Sequence, residues 1–184
     1  MHNDLSLFLR AIKFSAEKHR DQRRKDERLS PYINHPIEVA NVLWTIGDVY
    51  DGVTIIGALL HDTIEDTNTT SEEIRINFGE EVLALVLEVS DDKSLPKQER
   101  KLKQIKKAPF LSLRAKELKL ADKICNIGDI VNFPPQNWLW QRRVDYLEWA
   151  DSVIAGLRGT NMKLEMYFDE VLTNARQMLA QEKN

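Results

Sequence analysis

Cysteine is almost absent from this chain. Its one thiol, Cys125, has no intrachain disulfide partner, so a disulfide scaffold is excluded and the composition suits a reducing compartment. Cys125 sits in an apolar-periodic segment and reads as a buried packing residue rather than a nucleophile. Glycine and proline are sparse as well, at seven and six in 184 residues, which favours helices over strands and turns. No apolar run approaches the ~20 residues of a membrane span. The opening Met1-His2-Asn3-Asp4 has neither the basic nor the apolar part of a secretory leader. Positive charge is not in excess: the formal net charge is -3 and the pI about 5.9. No global field therefore attracts nucleic acid, and an anionic ligand must be met by local basic groups. These absences predict a cytoplasmic protein with no membrane and no nucleic-acid partner. A P-loop, a GxSxG elbow and a CxxC pair are missing too.

The residues present are 42% apolar and 30% charged, enough for one domain over 1–184 with a full core. Helical spacing recurs throughout. Asp4 is placed to cap a first helix, with Leu5, Phe8, Leu9, Ile12 and Ala16 on its apolar face. Asn34 and Pro36 suit the start of a second, which ends near Gly47. Asp51 opens a third. Ser71 to Phe78 forms a short helix closed by Gly79, and Val82 to Val89 another. A charged helix reaches Lys107 before Pro109. Ser112 caps a helix to about Val131, and Trp138 to Leu157 is amphipathic. Met162 to about Leu179 is predicted to pack as a lid. The expectation is all-α, a single-domain bundle of about nine helices.

The apolar run Val53 to Leu60 ends abruptly in His61-Asp62-Thr63-Ile64-Glu65-Asp66. One histidine and three carboxylates rarely cap a core unless something cationic offsets their desolvation. If the helix continues, His61 and Glu65 are i,i+4, as are Asp62 and Asp66. The cluster reads either as a metal site with acid/base carboxylates Glu65 and Asp66 beside it or as a solvated helix end. His35 alone reads as a capping or packing histidine. Asp122, flanked by Lys119 and Lys123, reads as a surface residue or as a partner in the site. Taken jointly, His35, His61, Asp62 and Asp122 supply two imidazoles and two carboxylates from three helices. That set suits Mn²⁺, Fe²⁺ or Zn²⁺ better than Mg²⁺, and such an ion supports hydrolysis. The segment His19 to Arg28 holds four Arg and one Lys within nine residues. It is a solvated loop or a basic lip for phosphates.

The order H…HD…D resembles the HD metallophosphohydrolase superfamily. More closely, the chain resembles the hydrolase domain of RelA/SpoT proteins in its stand-alone form, the small alarmone hydrolases. The matching blocks run in order: Arg23-Arg24-Lys25-Asp26, Pro31-Tyr32-Ile33-Asn34-His35-Pro36, Ala58 to Thr67, Phe78-Gly79, Asp91 to Lys97, Lys119 to Lys123 with Asn126, and Arg142 to Trp149. The resemblance implies an HD-domain helical bundle that removes the 3′-pyrophosphate of ppGpp or pppGpp, usually with Mn²⁺. It implies metal binding by His35, His61, Asp62 and Asp122 and catalysis by Glu65 and Asp66. Arg24, Lys25 and Asn126 match nucleotide-contacting positions, with Lys97, Arg142 and Tyr146 as further phosphate and ribose contacts. Gly128 stands where the family usually has arginine. That departure keeps open another nucleotide substrate, such as an NADPH 2′-phosphatase reaction, and a non-catalytic nucleotide-binding domain. No segment could house a synthetase, so hydrolysis without synthesis is expected. Self-association into a homo-oligomer is left open.

Overall fold

The computed structural model describes residues 2–183, with side chains from residue 5 onward. The chain winds into α1 (His2–Lys18), α2 (Asn34–Thr45), α3 (Gly52–Leu60), α4 (Thr63–Asp66), α5 (Ser71–Phe78), α6 (Glu80–Val89), α7 (Lys97–Lys107), α8 (Leu113–Asn132), α9 (Trp140–Ala155) and α10 (Met162–Glu182). A 3₁₀ turn, Ala108–Phe110, joins α7 to α8. Among the described residues nine helices have eight residues or more, and α4 is a single turn. Among the described residues there is no strand, only an isolated bridge between Arg23 and Pro31. No helix among them is long and apolar enough to cross a membrane.

The apolar run at 53–60 becomes α3, the buried centre of the bundle. Asp51 starts it by accepting from the Thr54 backbone N–H at 3.0 Å. Every residue from Thr54 to Leu60 is buried. Helices α1, α2, α6 and α8 surround it. Burying Ile55, Ile56, Leu59 and Leu60 stabilises by about 1.5–3 kcal/mol each. Gly57 sets the approach of α6, because a Cβ there would lie 2.5 Å from Leu85 Cδ2. The far wall is α8, on which α10 lies lengthwise as the expected lid, with Phe168 and Leu164 fully buried.

Most starts and stops follow local chemistry. Thr70 and Glu73 form a capping box on α5, and Gly79, at φ 89°, turns the chain into α6. Ser112 caps α8 and Asn161 caps α10. Three expectations need correction. Asn34 is not an N-cap: Ile33 is already helical, so winding begins before it, and the Asn34 side chain caps nothing. The helix with Trp138 begins only at Trp140. Helix α1 is already formed at Asp4, whose side chain lies outside the described residues.

Candidate active site

Helix α3 does not run through to residue 66. It stops at Leu60, and Thr63 Oγ1 donates to the Leu60 carbonyl at 2.7 Å in place of a helical N–H. Asp62 sits near φ -95°, ψ -5°, outside the helix proper. The chain resumes as α4, with the Asp66 N–H on the Asp62 carbonyl at 2.8 Å. This break turns His61 and Asp62 toward each other, leaving Nε2 and Oδ2 3.0 Å apart.

Three elements meet at this break. His35 comes from the first turn of α2 and Asp122 from the middle of α8. His35 Nε2 is 3.2 Å from Asp122 Oδ1 and 3.8 Å from Asp62 Oδ2. His61 Nε2 is 3.8 Å from Asp122 Oδ1. Donor atoms of His35, His61 and Asp62 lie within 4.8 Å of one another, a spacing that one metal ion can span. The Nδ1–H of His61 donates to the Ala58 carbonyl at 2.8 Å, which fixes the ring so that Nε2 faces the cluster.

Charge explains why such a cluster wants a cation. Burial opposes a proton on His61, but Asp62 and Asp122 outweigh it and hold the ring up at about 9. Burial also opposes the charges of Asp62 and Asp122. His61 and His35 outweigh it at Asp62; Lys123, followed by His35, does so at Asp122, and both carboxyls are held below their ordinary range. The same field serves a divalent ion, and mixed nitrogen and oxygen donors fit one.

Asp122 is not a surface residue. Lys123, which as a flanking charge suggested exposure, is itself buried, with its ammonium 2.7 Å from Asp122 Oδ2 and 5.0 Å from the Trp149 ring centre. Asn126 donates to Asp122 Oδ1 at 2.6 Å. Tyr32 donates its hydroxyl to Asp62 Oδ2 at 2.6 Å; burial and then Asp62 push its pKa far up, so it keeps its proton.

Glu65 and Asp66 flank the cluster. Glu65 Oε2 accepts the Asp91 N–H at 3.0 Å, and Arg100 stands 3.7 Å from Oε1. Burial, assisted by Asp62 and neighbouring carboxylates, raises the Glu65 pKa despite that N–H. Asp66 accepts from Gln22 at 2.9 Å and pairs with Lys93.

A cavity of about 220 Å³ opens from Asp66 and Tyr32 past Lys25 and Tyr146 to Asn126 and Asp129. The basic segment forms one wall. Arg24 is half-buried, pairs with Asp129 and lies 3.4 Å from Asn126 Oδ1, while Lys25 is exposed at the rim. Lys97 and Arg142 do not line this cavity directly. They sit over the ring of Trp138, which does, at 5.8 and 4.2 Å. Partial burial and then the nearby Arg142, Lys101, Lys25 and Arg100 lower the Lys97 pKa, a mark of converging cations. Burial pushes the Tyr146 hydroxyl up to about 12. Beyond Asp129 the space widens into a groove of about 1480 Å³ lined by Gly128, where a Cβ would meet nothing within 4 Å.

Tyr32, Lys123, Trp138 and Gln22 were not among the site residues expected from the sequence. Tyr32 carried a signal, lying one helical turn before His35 within a matching block. Trp138 carried none, because its ring matters only through the cations folded onto it.

Residues 11–156 match the HD domain family. A guanosine-3′,5′-bis(diphosphate) 3′-pyrophosphohydrolase MESH1 from Xenopus tropicalis is 50% identical over 171 residues, 93% of this chain and 96% of that protein. The Homo sapiens protein of that name is 49% identical over 165 residues, 90% and 92% of the two chains. A solved structure described as a metazoan ortholog of SpoT that hydrolyzes ppGpp superposes with a TM-score of 0.89 at 45% identity, covering 91% of this chain and 94% of that one.

Proposed function

Because the chain belongs to the HD domain family, in the group that includes the animal guanosine-3′,5′-bis(diphosphate) 3′-pyrophosphohydrolases, we propose that it hydrolyses ppGpp and pppGpp to GDP or GTP and pyrophosphate. One observation carries this reading: His35, His61 and Asp62 converge with Asp122 against both imidazoles, and the neighbouring Asp66 lines a cavity that has Arg23, Arg24 and Lys25 in one wall.

His35, His61, Asp62 and Asp122 would hold a divalent ion; the mixed donors suit Mn²⁺, Fe²⁺ or Zn²⁺ alike, and the family resemblance favours Mn²⁺. When bound, the ion polarises a phosphoryl oxygen and acidifies a water. Lys25, Lys97 and Arg142 neutralise the pyrophosphate groups. Arg24, Asn126 and Tyr146 seat the nucleoside. Glu65, with its raised pKa, accepts the proton of the attacking water. Asp66 orients that water or assists the leaving 3′-oxygen, which departs with a proton as the 3′-hydroxyl.

The test is a product assay. Metal-stripped protein reloaded with Mn²⁺ should convert ppGpp to GDP and pyrophosphate, resolved by anion exchange. Orthophosphate from NADPH, with no pyrophosphate from ppGpp, would replace this reading with the 2′-phosphatase one. The wide groove beside Gly128 favours that second reading, since it leaves room for a dinucleotide.

A further inference from the structure

A hydrogen-bond chain reaches Asp66 from His19, just past the end of α1, and the mechanism above gives it no part. His19 is buried, with Nδ1 2.6 Å from Gln22 Oε1. Gln22 Nε2 donates to Asp66 Oδ2 at 2.9 Å. A side-chain amide has one accepting and one donating end, and an ionised carboxylate only accepts. The amide must therefore turn Nε2 to Asp66 and Oε1 to His19. Oε1 can only accept, so the proton of a neutral His19 must sit on Nδ1.

Two further observations agree. His19 Nε2 is buried without a partner. A lone pair is tolerated there more readily than an orphaned N–H. Burial also lowers the His19 pKa, against smaller opposing pulls from Gln22 and the carboxylates, so the ring stays neutral. The ring stacks 4.8 Å from Tyr32, whose hydroxyl holds Asp62. One stacked pair thus addresses Asp62 directly and Asp66 through an amide.

We propose that Gln22 is a positioning residue that fixes the Asp66 carboxylate as an acceptor, with His19, protonated at Nδ1, setting the direction of the Gln22 amide. The proposal rests on Asp66 being a working carboxylate of the hydrolase.

The first arm of the test needs no activity. Long-range ¹H–¹⁵N NMR of the full-length protein should show His19 carrying its proton on Nδ1, and a proton on Nε2 would overturn the proposal. The second arm is kinetic. Gln22→Glu puts an acceptor against Asp66, and His19→Asp forces the amide to turn over. Each should lower kcat for ppGpp at least tenfold, with KM within twofold and bound metal retained. His19→Asn keeps an N–H at the Nδ1 position and should stay within threefold of the parent. Equal loss in His19→Asn and His19→Asp, or a Gln22→Glu kcat within threefold of the parent, would reduce the chain to packing and sink the proposal. If the unmodified protein leaves ppGpp intact, the functional reading fails, and the tautomer alone then decides the direction of the chain.

Discussion

At the scale of single residues, the two carboxylates after the His-Asp pair have different partners: Glu65 has the Asp91 N–H and Arg100, Asp66 has Gln22 and Lys93. Burial, with Asp62 and Asp91 nearby, raises the Glu65 pKa above the ordinary glutamate value of about 4.3. A base must be ionised to act. Its contribution is therefore complete above the raised pKa and lost as pH falls through it. The acid limb of kcat is expected above the usual glutamate range. Glu65→Gln should keep the metal, lose at least roughly a hundredfold in kcat and flatten that limb; an unchanged limb in the variant would assign it to another group. Gly128 allows a cleaner experiment. Its Cβ direction is open, so Gly128→Arg should fold and melt at or above the parent temperature, since a helical glycine costs about 1 kcal/mol against a better helix former. If the missing cation weakens substrate binding, KM for ppGpp falls severalfold in that variant while kcat holds. An unchanged KM would mean that Arg24 with Asp129 already meets the need.

Among the elements, α3 and α6 pack at a glycine, and α3 carries the site at its end. Gly57→Ala drives a methyl into Leu85 and should destabilise by about 1–3 kcal/mol in urea unfolding. Adding Leu85→Val should recover part of that loss, because the two substitutions share one contact. Full additivity would show that the helices part rather than compress. The same element shows what a sequence can reveal. Helix α3 was legible because a run of apolar residues preceded by aspartate has few other solutions. Its stop after Leu60 was not, because His61 to Asp66 are compatible with a continuous helix. The break owes much to the Thr63 side chain and to the other helices meeting there. His35, His61, Asp62 and Asp122 could be grouped because their order along the chain is distinctive and each sits at a readable place on a helix. The cation cluster was only partly legible. Lys97 and Arg142 lie 45 residues apart, and their meeting over Trp138 depends on how α7 and α9 pack. Lys123 misled for a related reason: a charge beside a charge reads as surface, and only the fold buries both.

For the whole molecule, the four donors come from α2, the turn after α3, and α8, so an ion bound there ties the centre of the bundle to its far wall. Without the ion, Asp62 and Asp122 are held charged by His61, His35 and Lys123 alone, in a site largely closed to water. A ligand that binds only the folded state stabilises it by about 2.7 kcal/mol at a hundred times its Kd. For a chain of this length that corresponds to roughly 5–10 °C in melting temperature. Mn²⁺ added to chelator-treated protein should raise the melting temperature by that amount. Asp122→Asn should abolish the rise, since the neutral amide is a poorer ligand and leaves Lys123 without its carboxylate. Glu65→Gln should keep the rise in full, because Glu65 lies beside the donor set and not in it. A rise that survives in Asp122→Asn but disappears in Glu65→Gln would move the ion away from α8 and toward α4, and would exchange the roles assigned to those two carboxylates.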